Sequence, residues 1–125
     1  MRLSDLKNFF EEKISATDLS EIIQAEMNEY RRGSLENGRS MPVLLVDDIE
    51  LFVHEISLTK LIMGWYKEEL SSLEINYIVD SLLLSQNVSF INEDMRNLIE
   101  TLTDPAVNGP LTKEKMLEIL SHLKE

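Results

Sequence analysis

Residues 41–57 read MPVLLVDDIELFVHEIS, and the fold class turns on whether they form a strand or lead into a helix. The residue before Pro42 is pushed out of helical geometry, so the stretch begins extended. Val43 to Val46 are four consecutive apolar residues, a pattern shared by a buried strand and by an extended approach to a helix. No second segment alternates apolar and polar residues with period two, so a strand here would lack a partner. The reading adopted is an extended lead-in, with Asp47 capping a helix that buries Ile49, Phe52, Val53 and Ile56.

Beyond this stretch the periodicity is helical in both directions. On the C-terminal side, Ser57 can cap a helix carrying Leu58, Leu61, Ile62 and Trp65 to about Leu70. Within it Gly64 either weakens the helix or lets another element approach closely. Ser72 starts a helix with Leu73, Ile75, Tyr77, Ile78, Val79, Leu82 and Leu83, apolar around so much of its circumference that it belongs at the centre of a bundle. Asn92 caps a helix that turns Met95, Leu98, Ile99 and Leu102 inward. Thr112 caps a last helix from Lys113 to Lys124, with Met116, Leu117, Leu120 and Leu123 inward.

On the N-terminal side, Leu3, Leu6, Phe9, Phe10 and Ile14 form a stripe behind a Ser4 cap. Leu19, Ile22, Ile23, Met27 and Tyr30 form a second stripe behind a reciprocal Asp18–Glu21 cap. Gly33 and Gly38 mark residues 33–42 as a loop between this N-terminal helical pair and the rest. The expected architecture is an all-α single domain spanning 1–125, a bundle of about six short helices.

Composition narrows the function. The chain has 125 residues, 12 Lys and Arg against 23 Asp and Glu, and a net charge of −11. Of that charge, −9 falls between residues 33 and 104, so the negative field belongs to the middle of the chain and not to an acidic tail. Such a surface repels nucleic-acid backbones and anionic membranes, and it favours a basic protein partner. There are no cysteines, which removes disulfides, thiol nucleophiles and thiolate metal sites. The longest uncharged apolar runs, 41–46 and 81–91, are too short to span a bilayer. The opening MRLSDLKNFFEEK places acids where a signal peptide needs its apolar core. A soluble cytoplasmic protein is expected, with no direct contact to nucleic acid or membrane.

Motifs that carry chemistry are nearly lacking. No glycine-rich phosphate loop, nucleophile elbow or paired-histidine zinc helix occurs. His54 and His122 fall on different expected helices and are read as surface or structural residues, His122 complementing the last helix's dipole. Asp47, Asp48 and Glu50 cluster at a helix start, where carboxylates complement the positive dipole end. No loop has calcium-ligand spacing. Catalytic residues, bound metals and cofactors are therefore not expected. Asp80-Ser81-Leu82 matches the triplet that carries phosphopantetheine in acyl carrier proteins, but here Ser81 lies inside an apolar run and the acidic helix that should follow is missing. The aromatic residues sit mostly on stripes and are read as core, except Tyr30 and Tyr66, whose charged neighbours allow them to lie at a partner surface.

From Met41 onward the chain resembles the small helical immunity proteins of bacterial contact-dependent inhibition and related polymorphic-toxin systems. The likeness is carried by the proline-led MPVLLVDDIELFVHEIS, by LTKLIMGWYKEE (58–69), by YIVDSLLLSQNVSFINEDMRNLIETL (77–102) and by the turn LTDPAVNGPLT (102–112). It covers about two thirds of the chain, and none of these pieces is a catalytic signature. The resemblance implies a non-enzymatic protein that binds a cognate toxin in the cytoplasm. Many such toxins are nucleases with basic grooves that an acidic inhibitor can occupy by mimicking phosphate charge and exploiting electrostatic steering. On that reading the partner-binding residues are exposed acids outside the apolar stripes: Asp47, Asp48, Glu50, Glu55, Glu68, Glu69, Glu93, Asp94 and Glu100, with Tyr66 or Trp65 as an aromatic anchor. The alternatives are an acidic helical adaptor or anti-regulator with another basic target, and a carrier protein modified on Ser81.

Overall fold

The computed structural model of the chain describes residues 1–35, 44–103 and 105–123. Its helices are α1 (Leu3–Phe10), α2 (Ala16–Leu35), α3 (Glu55–Tyr66), α4 (Ser72–Leu84), α5 (Glu93–Glu100), the single turn α6 (Pro105–Asn108) and α7 (Lys113–Leu123). Two three-residue strands, β1 (Leu51–Val53) and β2 (Val88–Phe90), interrupt an otherwise helical fold. The all-α bundle expected from periodicity is the architecture found.

Helix α4 is the centre, as its apolar circumference requires. Ile75, Tyr77, Ile78, Val79 and Leu82 are all buried, and α2, α3 and α5 each pack against this helix. Leu19, Ile23, Met27 and Tyr30 come from α2, Leu58, Leu61 and Ile62 from α3, and Met95 and Ile99 from α5. Helical repeats of three and four residues align these side chains on one face of each helix.

The α2–α4 contact also carries a buried polar seam. The Tyr30 and Tyr77 rings meet edge-on with centroids 5.0 Å apart, and the Tyr30 hydroxyl donates to Asp80 at 2.6 Å. The Tyr77 hydroxyl donates to Glu26 and accepts the Leu44 N–H at 3.0 Å. Glu26 also binds the Met1 ammonium. Burial of the Tyr77 phenol, reinforced by the Glu26 carboxylate it faces, raises its pKa well above the ordinary value.

The decisive stretch departs from expectation. No helix follows Asp47, and Leu51–Val53 is instead a strand paired in parallel with Val88–Phe90, in the register Leu51↔Val88, Phe52↔Ser89, Val53↔Phe90. Only Leu51 and Val53 of this strand are buried. Phe52 and Ile56, both expected inside, are 52% and 57% exposed. The partner strand was invisible to a period-two search because three residues are too few to display alternation. The two strands are adjacent because α3 and α4 cross over between them, the connection parallel pairing requires. Val46 does remain extended, forming an isolated bridge with Arg2.

Several helix starts move by one turn or less, each for a specific hydrogen bond. Helix α3 is capped by His54, whose Nδ1 accepts the Ile56 N–H at 3.3 Å, and Ser57 answers by accepting the His54 N–H at 3.3 Å. Ser57 is therefore the reciprocal partner inside the first turn, not the cap. In α4 the cap is Ser71, paired reciprocally with Glu74 at 3.1 and 2.9 Å. In α2 the reciprocal pair is Ser15 with Asp18, at 3.1 and 3.0 Å. In α1 it is Asp5 that accepts the Arg2 N–H at 3.0 Å, and Ser4 faces elsewhere. The serine caps of α2 and α4 each contribute about 1 kcal/mol. Asn92 and Thr112 cap α5 and α7 as expected, accepting the N–H of Met95 at 2.8 Å and of Lys115 at 3.1 Å.

Helix α2 continues to Leu35, so residues 33–35 of the expected loop are helical, while 36–42 lie outside the described residues. Leu117, expected inside, is exposed, and Ile119 takes the inward position on α7. Gly64 does permit a close approach: a methyl group there would sit 2.8 Å from Leu70 Cδ1 and 3.4 Å from Ala16 Cβ. That contact brings the α1–α2 and α3–α4 turns together. The Pro105–Gly109 turn is structural, with Gly109 at φ 79°. Asn108 Nδ2 donates to the carbonyls of Glu100 at 3.1 Å and Thr103 at 2.6 Å, so it closes the end of α5.

Candidate functional site

The carboxylates named from sequence divide according to what the fold has already given them. Asp48 accepts both the N–H of Ser4 at 3.0 Å and its hydroxyl at 2.5 Å, joining the loop before β1 to the first turn of α1. The Ser4 hydroxyl bond, with the Ser4 N–H and the nearby Arg2 charge assisting, holds the Asp48 pKa below its ordinary value. Asp47 accepts the Ser85 hydroxyl, and its carbonyl takes Asn87 Nδ2 at 3.2 Å, so it fixes the exit of α4. These two acids are exposed but engaged. They do not cap a helix, because no helix begins there.

Glu55, Glu93 and Asp94 are exposed in the first turns of α3 and α5. Parallel pairing of β1 and β2 sends both strands toward the same end, so these two helix starts lie at one end of the small sheet. The dipoles alone favour acids in such positions. Glu100 forms an i,i+4 ion pair with Arg96 at 3.3 Å, an exposed pair of the kind that contributes little. Glu50 is exposed just ahead of β1.

The structure does gather one subset. Tyr66, Glu68 and Glu69 line a hollow of about 580 Å³ together with Trp65, Glu74 and Lys113. Trp65 is half-buried and its indole N–H donates to the Ser72 hydroxyl at 2.9 Å, which fixes the ring. Tyr66 stands edge-on to it with centroids 5.9 Å apart and is 36% exposed. Glu69 accepts the Thr17 hydroxyl at 3.3 Å, and Glu74 accepts the Ser71 N–H and the Ser20 hydroxyl. An aromatic pair with one anchored ring beside several carboxylates suits recognition of a basic side chain, with stacking and ion pairing available in one place.

Glu68 is the exception within this group. It lies just past the C-terminus of α3 with φ 61°, in the left-handed region that costs a residue with a side chain about 1–2 kcal/mol. Its carboxylate is also at the negative end of the α3 dipole, and among the described residues it forms no ion pair. Fold physics thus explains Asp47, Asp48, Glu55, Glu93 and Asp94, but does not explain a glutamate at position 68.

Two capping residues escaped the sequence reading. Glu74 was hidden by its role as a capping partner, which a Ser-x-x-Glu match at 71–74 could have revealed. His54 as a helix cap carries no sequence signal at all. The carrier alternative also receives a physical answer. Ser81 is fully buried in α4 and its hydroxyl donates to the Tyr77 carbonyl at 2.9 Å, which leaves no path for a prosthetic arm. Among the described residues, no three His, Asp or Glu side chains converge as metal ligands, and no helix is long and apolar enough to cross a membrane. Comparison with protein-family models, curated proteins and solved structures finds no match to this chain.

Proposed function

We propose that this chain is an immunity protein that binds and neutralises a cognate toxin in the bacterial cytoplasm. The toxin is a basic nuclease domain, and the inhibitor meets it through acids arranged beside Trp65 and Tyr66. One observation carries the reading: on a chain of net charge −11, Glu68 occupies a position that its own fold disfavours, at the rim of a hollow that gathers Glu68 and Glu69 with Trp65 and Tyr66. Residues that break local rules without an internal return concentrate at functional surfaces.

In mechanism, the negative field steers the basic groove of the toxin toward the inhibitor. Glu68 and Glu69 then pair with arginine or lysine side chains that would otherwise hold substrate phosphates, and Tyr66 packs against the stem of one of them. The inhibition is stoichiometric occupation, with no chemical step.

The test is co-expression with the reading frame encoded immediately upstream. Growth arrest by that product, rescued by this chain, is the expected result. The Glu68→Lys, Glu69→Lys double variant, folded by circular dichroism, should lose the rescue. A harmless upstream product, or failed rescue by soluble folded protein, removes the immunity reading.

A further inference from the structure

We infer that the free edge of β1 is a docking site for an extended, basic segment of a partner protein, which adds as a strand alongside Phe52. In the β1–β2 pair the Leu51 N–H donates to the Asn87 carbonyl at 2.9 Å and the Val53 carbonyl accepts the Ile91 N–H at 3.0 Å. Backbone groups of successive strand residues point to opposite sides, so the N–H and C=O of Phe52 are directed away from β2. Among the described residues no strand pairs with that side, and no side chain bonds the Phe52 backbone.

Exposed edges are normally blunted by being very short, by lysine or proline, by a bulge or by a covering element. At three residues β1 is short, but it contains no lysine or proline, and it presents an aromatic ring, Phe52, 52% exposed. Beside the strand lies a hollow of about 290 Å³ lined by Lys7, Phe10, Glu11, Glu50, Phe52 and His54. Glu11 already pairs with Lys13 at 3.3 Å, while Glu50 has no ion pair among the described residues.

These features define the occupant. Unpaired N–H and C=O groups on a strand edge select an extended backbone. The space between Phe10 and Phe52 accepts an apolar side chain; Lys7 and Glu50 both line the hollow, so the preference for a basic segment comes from the −11 of the whole chain. A second copy of this chain fits poorly, since each copy carries −11 and would be repelled. This edge is separate from the Tyr66–Glu68 hollow, and its test involves no toxin, so either reading can fail without the other.

The experiment is an amide NMR titration of the full chain with the peptide acetyl-Lys-Val-Lys-Val-Lys-amide. The expected result is a downfield shift and slowed solvent exchange at the Phe52 amide. Methylating alternate peptide nitrogens should weaken binding about tenfold, because edge hydrogen bonds are lost while charge is kept. The same peptide with Glu for Lys should not bind. Phe52→Pro removes the donor and Phe52→Lys keeps it while adding a repelling charge, and both should weaken binding of the basic peptide. The inference is overturned if Phe52 does not respond, if the methylated peptide binds as tightly, or if the shifts gather at Tyr66 and Glu68. Sedimentation showing a dimer dispersed by Phe52→Lys would also overturn it, in favour of self-association.

Discussion

Helices α1 and α3 end in the same way, yet their final turns differ in what they accomplish. In α1 the Lys13 N–H reaches the Asn8 carbonyl at 2.8 Å and the Glu12 N–H reaches Phe9 at 3.2 Å; in α3 the Glu69 N–H reaches Gly64 at 2.9 Å and the Glu68 N–H reaches Trp65 at 3.0 Å. Both are Schellman turns, and both place a glutamate, Glu12 at φ 63° and Glu68 at φ 61°, where glycine is the usual residue. The Glu12 carboxylate pairs with Lys60, tying the end of α1 to the middle of α3. Glu68 has no such return. The comparison teaches that an acid's meaning depends on the donor within its reach: Glu12 belongs to the fold's own wiring, whereas Glu68 has no ion pair among the described residues, which is why the proposed interface is centred on it.

Charge reversal should separate the two most strongly. Glu68→Lys is expected to weaken capture of the proposed toxin at least about tenfold, since it converts a contact into a like-charge repulsion. Glu12→Lys, with the same change in net charge, should alter affinity by no more than about twofold. Association and dissociation rates measured at low and high salt would check this. Equal losses in both variants would mean that net charge alone drives binding and that the two turns are equivalent.

Glycine at the same positions probes stability. Glu68→Gly relieves the left-handed backbone and should stabilise the fold by about 1 kcal/mol, raising Tm by about 4 °C. Glu12→Gly gains the same backbone relief but forfeits the Lys60 pair, an interaction worth up to about 1 kcal/mol at this exposure, so its net gain should be smaller. Thermal unfolding of both variants reads the difference directly. Lys60→Met isolates the pair, with an expected loss of about 0.5 kcal/mol, and an unchanged Tm would show that Glu12 is as unsupported as Glu68.

Much of this architecture was legible in the sequence, and the remainder was not for physical reasons. The apolar circumference of Ser72–Leu84 announced the central helix, and Asn92 and Thr112 announced two helix starts, because capping chemistry is local. The strand at Leu51–Val53 depends on Val88–Phe90, a partner 37 residues away in register, and no local pattern encodes such a pairing. The acids were equally opaque. Asp47, Asp48 and Glu69 look as available as Glu68 until Ser85, Ser4 and Thr17 are brought against them. A left-handed Glu68 without a glycine beside it gives no warning in the sequence.

Asp48 supplies the smallest and most specific check, because it is an engaged acid like Glu12 and its engagement depends on pH. Its hydrogen bonds from Ser4 depress the folded-state pKa below the unfolded value of 3.8. An acid with a depressed folded pKa contributes stability that is fully present above the unfolded pKa and is lost as pH falls through the folded one. The chain should therefore lose this contribution only below about pH 4, where the unfolded state begins to take up the proton first. Asp48→Asn removes the ionisation, so the urea midpoint of the variant should lie below that of the parent chain at pH 7 and approach it at pH 3. A gap of the same size at both pH values would assign the effect to lost geometry instead of charge. Because the group is exposed, the shift is expected to be small beside those of the Glu12 and Glu68 variants. It nevertheless bears on the comparison: Lys reversals at Asp47 and Asp48 would disturb the fold's own contacts, so only acids such as Glu68 can report a partner without that confusion.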